Sequence, residues 1–104
     1  MNDQFAKLMK QAQQMQSKMA EEQEKLDGMS FSGSAGGGMA ESEVNGKLEL
    51  ISLKIMPEAV DPEDVEMLED VILAAIQDAQ RKAQEAKDSQ MSSVTGGMKI
   101  PGLG

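Results

Sequence analysis

The chain has 104 residues and a net charge of −8, with no Cys, His, Trp or Tyr. That length admits one domain at most, and the missing residue types exclude disulfides, thiolate or imidazole metal sites and the commonest general base. Phe5 and Phe31 are the only aromatic residues, too few for a base-stacking platform. No apolar run reaches the roughly 20 residues of a membrane span and no signal core follows Met1, so the expectation is a non-secreted, intracellular protein without a membrane partner.

The charge is unevenly placed. Residues 57–80 hold eight acidic and no basic side chains, and residues 81–104 carry four basic and two acidic ones. Within 5–20, Lys7, Lys10 and Lys18 stand without any acid. The acidic excess therefore belongs to one block, and locally basic stretches remain for a polyanion.

In chain order, the first element is a helix over about 3–27. Phe5, Leu8, Ala12, Met15, Met19, Glu22 and Leu26 follow a 3-4-3-4-3-4 spacing, a narrow pairing seam interrupted only by Glu22. A seam this narrow fills no core by itself and calls for a partner helix or chain. Leu8, Ala12, Met15 and Met19 are the seam candidates. The lysines fall largely off it; on a lone helix they are most simply solubilising residues.

Three strands follow, over about 29–34, 39–45 and 47–56. Met29, Phe31 and Gly33 alternate with Ser30, Ser32 and Ser34, and Gly36–Gly38 is read as a turn between strands. Asn45-Gly46 is a strong hairpin signal. In the third run Leu48 and Leu50 occupy one phase and Ile51, Leu53 and Ile55 the other, which predicts a bulge or a strand covered on both faces. Two-sided burial in so small a domain points to a second subunit, with Ile51, Leu53 and Ile55 as candidates.

A second helix is expected over about 62–90, with Asp61 as its cap and Pro62 in first position. Acidic residues early and Arg81, Lys82 and Lys87 late suit the helix dipole and explain the acidic block without a ligand. Its apolar stripe narrows from Val65, Leu68, Val71, Ile72 and Ile76 to alanines, predicting that the distal half leaves the core and packs closely on something thin. The tail, about 92–104, is expected to be mobile.

The stretches "LMKQAQQMQ" (8–16), "VNGK" (44–47), "DVEMLED" (64–70), "DAQRKAQE" (78–85) and "SSVTGGMKIPGLG" (92–104), in this order and spacing, resemble the YbaB/EbfC family of bacterial nucleoid-associated proteins. The resemblance covers nearly the whole length. It implies an α+β fold of one domain, 1–104, ordered α-β-β-β-α, with a three-stranded antiparallel meander and two long helices. It further implies a tweezers-like homodimer that binds duplex DNA in the cytoplasm, at the nucleoid, with little sequence preference.

Phosphate contacts would then come from Lys7, Lys10, Lys18, Arg81, Lys82, Lys87 and Lys99. Arg81 is the only Arg, so bidentate guanine reading is barely provisioned. An enzyme is not expected: no cofactor, metal or small-molecule substrate is called for, and "SVTGGMK" lacks the phosphate-loop spacing. The rival reading is a protein-interaction or chaperone-like helix-hairpin-helix module, supported by ten Met residues.

Overall fold

A computed structural model of the chain describes residues 2–94. Helix α1 (Asn2–Asp27) leads into strands β1 (Ser30–Ala35), β2 (Ala40–Asn45) and β3 (Leu50–Ile55), a single 3-10 turn (Pro57–Ala59), and helix α2 (Val65–Val94). The sheet is an antiparallel meander in the order β1-β2-β3. This is the expected α-β-β-β-α order. Of the stretch expected as tail, 92–94 belong to α2 and 95–104 lie outside the described residues.

The core is built on small residues. Gly33, Ser42 and Val44 face α2 from β1 and β2, and Ala75, Ala79 and Ala83 come down on them from one helix face. A Cβ added to Gly33 would collide with the Ala75 carbonyl and the Ala79 main chain, the Ala79 Cα lying 2.9 Å away. The Ser42 hydroxyl donates to the Ala75 carbonyl at 2.7 Å. Val44 is the largest fully buried side chain, and five of the seven buried apolar residues are alanines. The alanine taper is therefore the buried contact of the helix, not its projecting end. The larger residues Ile72 and Ile76 are left half-buried on the flank of the stripe because the helix backbone sits so low over β1.

Local chemistry explains the turns. Gly36, Gly37 and Gly38 all take the left-handed φ (65°, 67° and 94°) that closes the β1–β2 turn. The β2–β3 turn differs from the simple Asn-Gly hairpin. Asn45 Oδ1 accepts from the main-chain N–H groups of Lys47 and Glu49, and Leu48, not Gly46, carries the positive φ of 67°. Packing of Leu48 against the Val44–Ala79–Ala83 cluster holds that strained backbone in place. Gly46 is needed for another reason: a Cβ there would strike the Leu26 carbonyl, where the end of α1 lies on the turn.

In β3 the expected bulge is present. Ser52 pairs with Glu43 but Leu50 pairs with Val44, so Ile51 is the extra residue. The bulge returns Leu50 to the same face as Leu53 and Ile55. At α2, Asp64 takes the capping role expected of Asp61, its carboxylate accepting from the Met67 N–H at 3.2 Å. Asp61 instead shapes the preceding turn through the Glu63 N–H and the Asp64 N–H, so the helix starts three residues late.

Helix α1 leaves the body. Leu26 is buried and Met19 and Glu22 are half-buried against α2, but Phe5, Leu8, Ala12 and Met15 are exposed. Glu22, the one polar break in the seam, is used as a tie: the Gln90 amide donates to its carbonyl at 3.0 Å and its carboxylate at 2.6 Å. The radius of gyration is 20.5 Å, against about 13 Å for a compact chain of this size.

Two outcomes follow from this packing. Gly33→Ala forces backbone apart and should destabilise the chain by about 2 kcal/mol, lowering its thermal midpoint by roughly 10 °C; an unchanged midpoint would refute the close approach. The Asp78 carboxyl is held below its ordinary value of 3.8, first by the Arg81 guanidinium and next by the Ser34 N–H. A depressed folded value means that its contribution is complete above the ordinary value and is lost as pH falls through the folded one. The difference in urea midpoint between wild type and Asp78→Asn should therefore shrink as pH drops from about 4 towards 2, where a constant difference would contradict the charge argument.

Candidate nucleic-acid interface

The basic residues of α1 share one face. At about 100° per residue, Lys7, Lys10 and Lys18 fall with Gln11 and Gln14 inside an arc of about 100°. The apolar seam lies on another face, so pairing through the seam would leave the lysines outward. All three lysines are exposed, and among the described residues none of them is engaged in an ion pair or hydrogen bond. From Lys7 to Lys18 the stripe runs roughly 16 Å along the helix.

The cations of α2 sit differently. Arg81 donates to Asp78 and to Glu85, each at 2.8 Å, and these two partners hold its charge more firmly than usual. Lys82 donates to the Ser32 carbonyl at 3.0 Å and lies 3.6 Å from Asp78. Lys87 is half-buried in the small cleft between the helices, lined by Met19, Glu22, Gln23, Gln90 and Met91. The structure thus separates the sequence candidates into a free set on α1 and a set already engaged or half-covered on α2. Lys99 lies outside the described residues.

The acidic block is held away from the free set. Val71, near the acidic start of α2, approaches Gly36 in the β1–β2 turn, whereas Gln90 meets Glu22 on α1. Glu66 to Gln90 spans about 36 Å of helix. Beyond that point α1 carries its lysines still further from the block. The acidic block and the lysines of 7–18 therefore lie towards opposite ends of one elongated molecule, with Asp3, Glu21 and Glu24 bracketing the lysines on α1.

The seam candidates divide as well. Leu8, Ala12, Met15, Ile51 and Leu53 are exposed, and Met19 and Ile55 are half-buried. Helix α2 covers β1 and β2 but leaves β3 bare. Leu50 (47% exposed), Ile51 (54%) and Leu53 (36%) form an apolar surface with Ile55. Ile72 and Ile76 flank it on α2; the Gln80 amide, on the same flank, donates to the Leu48 carbonyl in the turn before β3. Sequence reading missed Ile72 and Ile76 as part of this surface. The signal was present: an apolar arc from Leu68 through Leu73 to Ile76 is broader than an alanine contact requires. No described helix is long and apolar enough to cross a membrane.

A family model for the YbaB/EbfC DNA-binding family matches residues 1–98. A nucleoid-associated protein of Pelotomaculum thermopropionicum is 48% identical over 103 residues, covering 99% of this chain and 98% of its own. Another from Clostridium perfringens is 53% identical over 96 residues, covering 92% of this chain and 86% of its own. A third, from Afipia carboxidovorans, is 50% identical over 100 residues, with coverages of 96% and 95%. The crystal structure of an uncharacterized protein from Helicobacter pylori has the same fold, with a TM-score of 0.76 over 88% of this chain and 97% of that one, at 24% identity. With the match running nearly end to end, the chain belongs to the YbaB/EbfC family of nucleoid-associated DNA-binding proteins.

Proposed function

We propose that the chain acts at the nucleoid as a homodimer that binds duplex DNA with low sequence specificity through lysine–phosphate contacts. The observation that carries this reading is the stripe of Lys7, Lys10 and Lys18, exposed and uncommitted on a projecting helix at the far end from the acidic block. Duplex DNA presents one phosphate per ~1.7 Å of axis, and binding gains by releasing its counterions, so free cations on a thin arm suit a backbone-reading contact. No arginine accompanies them, and Gln11 and Gln14 beside them bond phosphate oxygens as readily as base edges, which favours low specificity. Arg81, Lys82, Lys87 and Lys99 are secondary contributors in this reading.

The second copy is supported by the bare apolar surface of β3 and α2. A core whose largest fully buried side chain is Val44 is thin, and Leu50, Leu53, Ile55, Ile72 and Ile76 supply the apolar area that a partner would cover. A dimer carries two lysine stripes, so both arms engage one duplex with the gain of avidity.

Six lysines in contact predict that affinity falls by roughly a thousandfold between 50 and 200 mM salt. In a gel-shift series the Lys7→Gln/Lys10→Gln/Lys18→Gln variant should bind weakly and lose most of this salt slope. Binding by the triple variant equal to that of wild type would remove α1 from the interface.

A further inference from the structure

The two edges of the sheet are treated differently. An edge strand offers a row of main-chain donors and acceptors to any incoming strand. On β1, the Ser34 N–H donates to Asp78 Oδ2 at 3.1 Å and the Ser32 carbonyl accepts from Lys82 Nζ at 3.0 Å. Asp78 and Lys82 are themselves 3.6 Å apart, and Arg81 holds the other carboxylate oxygen of Asp78 at 2.8 Å. The occupied groups, one acceptor and the donor two residues on, are those that a single residue of an incoming parallel strand would bridge. Among the described residues, no side chain makes a comparable bond to the main chain of β3, 50–55.

We propose that Asp78 and Lys82 form a clasp that closes the β1 edge to strand addition, so that a second copy of the chain associates only on the β3 side. An assembly with one usable face closes as a pair, whereas two usable edges permit head-to-tail growth. The clasp draws on a helix placed by Gly33: only a helix lying this low over β1 can reach past the strand to its outer edge. Exposed ion pairs contribute little stability, and here their directed main-chain bonds serve the edge. The closed-pair size rests on the homodimer reading; closure of the β1 edge does not.

The test uses the full chain in sedimentation velocity over a range of concentrations, with amide hydrogen exchange read at Ser34. Asp78→Ala/Lys82→Ala should give concentration-dependent species larger than the wild-type assembly, and Asp78→Ala should raise Ser34 exchange at least tenfold. Arg81→Ala, which leaves both edge contacts in place, and Asp78→Asn, whose amide oxygen still accepts from Ser34, should keep the wild-type size. A folded double variant of wild-type size, or a wild-type Ser34 amide exchanging at the unprotected rate, would overturn the clasp. A monomeric wild type would refute the homodimer alone, since the clasp is judged by growth relative to wild type and by Ser34 exchange.

Discussion

The fold depends on how closely α2 approaches β1. With no side chain at Gly33, the helix lies with Ala75 and Ala79 almost on the strand backbone, and everything else is arranged around that contact. It centres α2 over β1 and β2 and leaves β3 uncovered. It brings Asp78 and Lys82 to the outer edge of β1. It also sets the line along which the distal half of α2 leaves the sheet to meet α1 at Glu22 and Gln90. A bulkier residue at 33 would lift the helix and disturb all three arrangements together.

The same geometry sorts the charges. Because α2 starts beside the β1–β2 turn and ends along α1, its acidic first half lies at one end of the molecule. The α1 lysines extend from the other. In a chain of net charge −8, this separation would let a phosphate backbone, in the proposed contact, approach α1 without first crossing the repulsive block, since exposed charges more than a Debye length apart, about 8–10 Å, are largely screened. The cations nearest the sheet, Arg81 and Lys82, are tied to Asp78, Glu85 and Ser32, which leaves them the lesser part in the proposed contact. The proposed phosphate contact through α1 draws on this layout and on membership of a DNA-binding family.

Much of this was legible in the sequence because it is periodic. The helical period of α1, the alternation of Ser30, Ser32 and Ser34, the glycine turn and the phase change at Ile51 are local patterns, and each corresponds to a feature of the structure, whereas the seam of α1 is covered only from Met19 onward. What the sequence hid was tertiary. Nothing local says that Gly33 is a landing point for a helix, so the alanines of α2 read as a thin distal end and not as the core. The role of Gly46 is also non-local, since its lack of a side chain serves Leu26 on another element. Capping moved from Asp61 to Asp64 because both are good caps and only the turn between them decides. Among the candidate cations, sequence alone could not separate lysines that stand free from those held by a carboxylate three or four residues away.

The central claim is that the bare face of β3 and α2 is completed by a second copy of the chain. Sedimentation equilibrium of the full-length protein, wild type beside Leu53→Glu, tests it most directly. A wild type that is dimeric at micromolar concentration, with the variant shifted to monomer and less stable, is the predicted result. A wild type that remains a cooperatively folded monomer at every concentration would contradict it.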